Sequence, residues 1–438
     1  MADQTQATLN GLFKEIYADQ INNLLPPSSY ITKKVGFSRM DKTGNQYHQP
    51  VILTRPNGFT YGGQGTSSTA FTLNAGAPLQ MKDAVISGAE FVDQETIAYG
   101  VMSRAENGDR ASFMDATSLI IEQMMDSMTY RLELSCLYGG SGLAVCASRT
   151  TVDSTNTTIT LTVASSTQGI WSGAEGAILN FYNGSTIVGT SAADQDYTLN
   201  GVTFAESSGS IQITLAVSAT STGITDLNTA VNSNPNVITV WFKGQKGNEF
   251  SGVDQISQLG LSAGPSSLYG ITSSSYNLWR GNTYDASSAA LTMGKLLAAA
   301  GRLAGRGLRA PVCVYTNPLT WQNLNADLAA LRRFDSAGGE QDAGAENIVY
   351  YGPTGKMEVE ANIFVKQGDA FIMADPSRAE YWKRIGSSDI TFNLPGRSDE
   401  FFFNEPTKAG YSLREYCDMA IFSPVPAKSG KIINIVNT

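Results

Sequence analysis

One stretch of this chain, positions 150 to 242, contains neither Lys nor Arg. Ser, Thr, Gly and Asn are crowded into it. It also holds six acidic residues, so it carries six of the nine net negative charges and leaves −3 for the rest of the chain. A change of composition this sharp predicts that a self-contained acidic module has been inserted into a more ordinary sequence.

The order of residues inside the module predicts that it is folded. Ser/Thr-rich low complexity is typical of a disordered, sugar-coated stalk. Against that alternative, residues 158–163 and 210–215 alternate polar and apolar side chains, which in a strand places the apolar ones on one face. Asn183-Gly184 lies between two further apolar runs and suits a two-residue hairpin turn. We therefore predict an inserted all-β domain, with outer limits at 150–264.

Length and composition indicate a globular protein of two or three domains. The chain has 438 residues, of which 42% are hydrophobic and 16% charged. Its first residues lack the pattern of a secretory signal, and no run approaches the roughly 18 apolar residues of a membrane span. Because we expect folding in reducing cytosol, free buried thiols are favoured over disulfides or zinc ligation. The four cysteines are Cys136, Cys146, Cys313 and Cys417.

A long amphipathic helix is predicted at 113–137, just before the module. Apolar residues recur there every three to four positions. Ser112 is a natural N-cap, and Gly139-Gly140 supplies a stop. The methionines on its apolar face suit either an adaptable docking groove or a core, and Met more often fills core gaps.

Two segments near the start of the chain have too little hydrophobic mass to fold alone. Residues 46–77 are extended and polar with scattered aromatic residues, and 78–91 would return as a second strand. A two-stranded loop is marginal in water unless it lies on something else. Residues 1–45 are predicted to hold one helix, ended by Pro26-Pro27, followed by extended chain. We expect both segments to reach a neighbouring molecule.

The pattern after the module is α/β and then returns to strands. The predicted helices cover 288–303 and 318–331, and the predicted strands cover 311–315, 347–351, 357–365, 370–374, 401–403 and 419–422.

The motifs that could support chemistry are weak. His48 is the one histidine, so a catalytic triad or a His-based metal site would depend on a residue of the extended segment. The stretch 352–356 is similar to a phosphate loop but lies between two strands, which predicts a hairpin turn. Asp194 and Asp196 are too few for calcium and are predicted to lie in a solvated loop. We predict no catalytic, cofactor-binding or metal-binding residues, and no enzyme activity.

Small basic clusters do not change this assignment. Arg302, Arg306 and Arg309 form one cluster and Arg332-Arg333 another. A nucleic-acid binder should carry a concentrated positive face, whereas the pI of this chain is about 4.8. We predict that these arginines meet acids on a neighbouring subunit.

The order of segments resembles the major capsid protein of tailed bacteriophages, which has the α+β Hong Kong 97-like fold. Particular phrases are similar to family members, namely 169–173 leading to Gly176-Ala177, 246–256, 268–271 and 276–280. The resemblance implies an N-arm at 1–45, an E-loop at 46–95, a peripheral domain at 96–149 with its spine helix at 113–137, the inserted domain at 150–264, an axial domain at 265–385 and a return to the peripheral domain at 386–438.

The function that the resemblance implies is structural. The chain would assemble with itself into pentamers and hexamers of an icosahedral shell enclosing double-stranded DNA in the virion, after assembly in the host bacterial cytoplasm. Scaffolding, portal and decoration proteins are possible partners, and no membrane is involved. Little or no removal of N-terminal residues is expected. The inserted domain would stabilise the subunit, contact a neighbour or bind a host surface, in that order of preference.

Two other classes of protein remain as alternatives. An encapsulin-like compartment shares the fold but encloses protein cargo. An adhesive or glycan-binding β protein would use residues 150–242 as its active part. Some capsid proteins join an E-loop Lys to an Asn of another subunit, but no motif here marks partners for Lys82, and we do not predict such cross-links.

Overall fold

The computed structural model describes residues 29–62, 71–99, 110–153, 157–204, 210–217, 221–258, 265–331, 348–392, 394–396 and 402–437, and at 110–119, 217, 221 and 327–331 it describes the backbone alone. The predicted N-terminal helix and Arg332-Arg333 lie outside these residues. The described helices are α1 (Ile31–Lys34), α2 (Arg110–Tyr138), α3 (Gln168–Trp171), α4 (Ser221–Ser233), α5 (Val253–Gln258), α6 (Met293–Gly305) and α7 (Pro318–Leu331).

The strands form sheets of six, seven and five members, and two-stranded ladders. They are β1 (Phe37–Arg39), β2 (Tyr47–Ile52), β3 (Met81–Ile86), β4 (Ala89–Ala98), β5 (Ala144–Val152), β6 (Thr158–Ala164), β7 (Ile178–Asn183), β8 (Thr186–Ile187), β9 (Tyr197–Phe204), β10 (Ile211–Val217), β11 (Ile238–Phe242), β12 (Ser267–Leu268), β13 (Ile271–Thr272), β14 (Asn282–Ala289), β15 (Val312–Thr316), β16 (Ile348–Gly352), β17 (Gly355–Ala361), β18 (Ala370–Ala374), β19 (Lys383–Thr391), β20 (Phe403–Asn404), β21 (Gly410–Phe422) and β22 (Gly430–Ile435).

The long helix α2 confirms the helix predicted at 113–137 and extends it slightly at both ends. Met124 and Met128 are each 3% exposed, so the methionine face lies in the core. The helix is followed by Gly139, where a Cβ atom would lie 2.2 Å from the backbone oxygen of Phe250. Only glycine allows the chain to pass so close to the helix end.

A five-stranded sheet lies beside α2. Its order is β1-β19-β21-β20, and β4 pairs with β21 along ten residue pairs from Ala98↔Gly410 to Ala89↔Met419. The predicted strand at 419–422 is only the end of the 13-residue β21. Strand β19 was not predicted, because its sequence at 383–391 is mostly polar and lacks clean alternation.

The inserted segment forms a seven-stranded sheet in the order β11-β5-β6-β10-β9-β7-β8. Ile159, Leu161 and Val163 of β6 are buried and alternate with partly exposed threonines, as predicted. The predicted hairpin also forms between β7 and β8. Its two-residue loop is Gly184-Ser185, one position later than the predicted Asn183-Gly184.

The insertion is neither purely β nor self-contained, which corrects two predictions. Helix α4 lies within it and buries Ile224, Leu227 and Val231. Its Ser-, Thr- and Asn-rich sequence has weak helix propensity, so tertiary packing of these apolar side chains decides its structure. The core of the insertion is also continuous with that of α2 and β21, in one cluster containing Leu132 and Leu161.

A six-stranded sheet in the order β14-β22-β18-β15-β17-β16 carries the α/β part of the chain. The predicted helix at 288–303 begins later, at Met293. Thr292 caps α6 by accepting a hydrogen bond from the backbone nitrogen of Lys295 (3.4 Å), and the preceding residues up to Ala289 belong to β14. Strand β22 lies in this sheet, so a single boundary at 386 does not separate the two sheets.

All four cysteines are free and buried, as predicted. No helix of the described part of the chain is long and apolar enough to cross a membrane.

Candidate functional site

The β2–β3 hairpin forms a two-stranded sheet that pairs with no other named strand in the described part of the chain. Its antiparallel ladder runs from Tyr47↔Ile86 to Ile52↔Met81. Tyr47 and Ile86 are fully buried, whereas Ile52 is 63% and Met81 55% exposed. The base of the hairpin therefore belongs to the core, and its far end does not.

Beyond this ladder the chain carries large apolar side chains exposed to solvent. Among the described residues of this segment, a single bridge, Asn57↔Ala77, continues the pairing. Exposed side chains clustered on one extended segment are typical of a surface that another protein covers. We call this segment and the far end of the ladder the apolar arm; its exposed residues are Ile52, Phe59, Tyr61, Phe71, Leu73, Leu79 and Met81.

Hydrogen bonds fix the base of the apolar arm to two other parts of the fold. The backbone nitrogen of Ser387 donates to the hydroxyl of Tyr47 (3.0 Å). The hydroxyl of Tyr276 donates to the side-chain oxygen of Gln80 (2.9 Å). The arm is thus presented from a defined position.

His48 and Lys82 both lie on this hairpin. Nδ1 of His48 contacts the carboxylate of Asp83 on the facing strand, and both side chains are partly exposed. Nζ of Lys82 lies 5.5 Å from the ring centre of Tyr276. Both contacts tie side chains on or beside the ladder and provide no arrangement of nucleophile and base.

Of the two acids considered for calcium, Asp194 is buried, contrary to the predicted solvated loop, whereas Asp196 lies in a loop and is partly exposed. Asp194 is 6% exposed and accepts a hydrogen bond from the hydroxyl of Ser191 (2.6 Å). Asp196 forms an ion pair with Lys243 (2.5 Å) and accepts from Asn180 (3.2 Å). Each carboxylate has its own partners, so the two do not act as a pair.

The glycine-rich and arginine-rich candidates also have structural roles. Strands β16 and β17 form a hairpin through Pro353-Thr354, as predicted for 352–356. Arg302 donates to the backbone oxygen of Thr283, and Arg306 donates to that of Gly281 (3.2 Å). Carbonyl groups of the same chain therefore satisfy both guanidinium groups in part.

A buried ion cluster links α5, the residue just before β18, and β22. Nζ of Lys431 lies 2.6 Å from Asp254 and 2.9 Å from Asp369. Burial opposes the charge of Lys431, but the two carboxylates outweigh it and raise its pKa. Burial also acts to raise the pKa of Asp254, and the charges and hydrogen bonds of its neighbours outweigh this effect and lower it.

Lys366 adds a second buried cation beside this cluster. Its Nζ donates to the backbone oxygen of Gly142 (2.7 Å) and lies 4.1 Å from the ring centre of Tyr138. Burial lowers the pKa of Lys366 to about 8. The sequence signal for such clusters is an isolated charge in an apolar run, as for Lys431 before Ile432-Ile433, and the cluster was not predicted from it.

The group Cys313, Glu358 and Glu360 has ligand atoms close enough for a metal ion. Nζ of Lys34 contacts the carboxylate of Glu360 and lies 3.4 Å from Sγ of Cys313. Burial raises the pKa of the Cys313 thiol to about 11. The ammonium groups of Lys34 and Lys356 thus supply positive charge to this cluster, and Lys34 ties α1 to the six-stranded sheet.

Glu133 fixes the same short helix to α2. Its buried carboxylate accepts hydrogen bonds from the backbone nitrogens of Ile31 (2.7 Å) and Thr32 (3.0 Å). Burial raises the pKa of Glu133, although these donors favour its charged form. The chain that leads into the apolar arm is therefore anchored on both sides.

Known structures share this fold. No protein-family model and no curated protein sequence matches the chain. The capsid of cyanophage A-1(L) is similar over 99% of both chains, with 12% identity and a TM-score of 0.51. The capsid of an empty GTA particle is similar over 99% of this chain and 100% of the other, with 7% identity and a TM-score of 0.50.

Proposed function

We propose, from the premise that this chain has the fold of a phage capsid protein, that it is a major capsid protein. It assembles with itself into pentamers and hexamers of the icosahedral shell that encloses phage double-stranded DNA, and it resides in the virion. The likeness to a cyanophage capsid along 99% of both chains supports this function. In this function the chain buries surface between subunits and catalyses no reaction.

The apolar arm is the observation that carries this proposal. Burying one large apolar side chain that was exposed stabilises a contact by about 1.5–3 kcal/mol. Phe59, Tyr61 and Leu73 are each more than 70% exposed in the single chain. Head-to-tail contacts of one surface with a different surface of the next copy close into rings.

We further propose the division expected for the Hong Kong 97-like fold. In this division, residues 1–45 are the N-arm and residues 46–95 are the E-loop. Helix α2 is the spine helix, and the axial domain is built on the six-stranded sheet. The continuous core of the insertion and α2 supports a stabilising role for the insertion. Scaffolding, portal and decoration proteins are expected partners in assembly.

The acidic character of the subunit suits a DNA container. A net charge of −9 avoids the strong phosphate contacts that would pin the packed polymer to the wall. Nuclease treatment of purified particles should therefore leave protected double-stranded DNA, which high salt does not release from intact shells.

Electron microscopy with light scattering on the full-length protein tests the assignment, first alone and then with proteins of neighbouring genes. Closed or tubular shells with hexagonal lattices are the expected result. A small oligomer under both conditions would contradict it and favour the adhesive β protein. Shells that enclose an enzyme instead of DNA would favour the encapsulin-like compartment.

A substitution in the apolar arm tests how the shell forms. The double variant Phe59→Ser with Tyr61→Ser should abolish shells or raise the protein concentration needed for them at least tenfold, since each lost apolar contact costs more than about 1.4 kcal/mol. Its melting temperature as a subunit should stay that of wild type, because both side chains are exposed there. Val237→Ser, at 48% exposure in the insertion, is the matched control and should assemble normally.

A further inference from the structure

A cavity of about 310 Å³ lies between β4, α2 and the segment after β11. It opens to solvent, and its apolar wall includes Val92, which is 61% exposed, and the ring of Phe242. The polar side chains lining it come from Glu90, Arg131, Ser135, Lys243, Gln245, Asn248 and Glu249.

Arg131 differs from the other charged groups of this cavity. Its guanidinium carbon lies 3.2 Å from the ring centre of Phe242. Within the described part of the chain, no acceptor or carboxylate lies within hydrogen-bond or ion-pair distance of it. Asp93 acts on it only at longer range. Arg131 is only partly buried, and a guanidinium group carries five N–H donors, so donors of Arg131 remain available to an acceptor that enters the open cavity.

The neighbouring charges are already engaged. Lys243 pairs with Asp196 (2.5 Å). Glu249 accepts hydrogen bonds from the backbone nitrogen of Gly140 (2.7 Å) and from Gln245 (2.8 Å). Glu90, at the rim, lies 3.6 Å from Lys42. Arg131 is therefore the charged side chain of this cavity that has no acceptor or ion-pair partner within the described part of the chain.

We propose that this cavity binds an acidic side chain of a second copy of the chain, with Arg131 holding its carboxylate. Arg holds a carboxylate through two parallel N–H···O bonds, and the apolar wall suits the methylene groups of Asp or Glu. Charge complementarity favours this occupant, because each copy offers 39 acidic against 30 basic residues. The inference deepens the proposed capsid function and rests on it.

Two variants of Arg131 and one control test the contact. Arg131→Met keeps the length of the side chain and removes the charge, so the melting temperature of the unassembled subunit should be unchanged or higher. The critical concentration for assembly, measured by light scattering, should rise at least tenfold. Arg131→Lys keeps the charge but cannot form two parallel hydrogen bonds, so its critical concentration should lie between those of wild type and Arg131→Met. Lys243→Met, at the same cavity, should assemble nearly as wild type does.

A free carboxylate distinguishes the source of the anion. Sodium acetate, compared with sodium chloride at equal ionic strength, should hinder assembly of wild type and leave Arg131→Met unaffected. If acetate stabilises the wild-type subunit but does not hinder assembly, the cavity takes a small carboxylate and the contact between copies is refuted.

The remaining outcomes separate this contact from the function on which it rests. Equal critical concentrations for wild type and Arg131→Met overturn the contact alone. A lower melting temperature of both Arg131 variants as subunits would show that Arg131 serves its own fold, and would also overturn it. If wild type forms no shell under any condition, the proposed function and the contact fail together.

Discussion

Replacing Lys431 by Met should destabilise the subunit strongly. The Lys431 side chain is 8% exposed and lies within 3 Å of two carboxylates, Asp254 and Asp369. Removing it leaves both acids buried without their main counter-charge. Breaking a buried ion pair from one side costs about 3–5 kcal/mol, because the remaining charge loses its partner but does not regain water.

The size of the effect on melting follows from the length of the chain. At about 2.1 cal/mol/K per residue, 438 residues give an unfolding entropy of about 0.9 kcal/mol/K. A loss of about 4 kcal/mol therefore lowers the melting temperature by about 4 °C. Differential scanning calorimetry of the unassembled subunit resolves a shift of this size.

Two further variants make the test specific. Lys428→Met removes a nearby lysine whose Nζ lies 5.0 Å from the ring centre of Tyr381 and which has no carboxylate partner among the described residues, so it should shift the melting temperature little. Adding Asp369→Asn to the Lys431 variant removes one stranded charge and should restore part of the loss. A Lys431 variant as stable as wild type would refute the argument that losing Lys431 leaves two buried carboxylates without their counter-charge.

Two further perturbations test buried positions. Burial, with Asp93 opposite, raises the pKa of Glu415 from 4.5 to about 7, so the folded state binds more protons between these values and stability falls as pH rises through them. Glu415→Gln should reduce the difference between the free energies of unfolding measured by urea titration at pH 5 and pH 8. An unchanged difference would contradict the assignment of this pH dependence to Glu415. Gly139→Ala should cost more than about 2 kcal/mol, since its Cβ would meet Phe250, whereas Gly301→Ala, with open space, should gain about 0.5–1 kcal/mol. If the two substitutions changed stability by similar amounts, the close approach of Gly139 to Phe250 would be excluded as the cause.

Local pattern was enough to predict the elements with strong periodicity. Helix α2, strands β6 and β10, and helix α7 at Pro318–Leu331 follow from the spacing of apolar residues alone. The same holds for β18, a short run buried at every position. Where one face of a helix or strand is strongly apolar, the burial of that face and the local conformational preference favour the same structure, so the element can be predicted from the sequence.

The elements that were missed depend on contacts distant in sequence. Helix α4 owes its structure to three buried apolar side chains in a weakly helical sequence. Strand β19 is fixed by its pairing with β1 and β21 on either side. The ion cluster at Lys431 joins residues up to 177 positions apart, and no local pattern reveals which acids meet which lysine.

The candidate site was predictable in part for the same reason. An extended segment with scattered aromatic residues is visible in the sequence, and the exposed apolar arm agrees with it. The sequence does not reveal the contacts of Glu133 and Tyr47 or the unpaired guanidinium group of Arg131. They arise only when α2, β4 and β19 are brought together in the fold. A charged residue in an apolar helix marks a contact to be found but does not name the partner.

The insertion joins the rest of the chain through neighbouring strands. Strand β5, at its start, pairs with β11, at its end, through Ala144↔Val240 and Val145↔Thr239. A polypeptide cassette that leaves and returns at one spot can be exchanged for another without rerouting the remaining chain. Because its apolar face is shared with α2, the cassette cannot simply be cut out. Any replacement cassette must therefore begin and end at this strand pair and cover the same apolar face of α2.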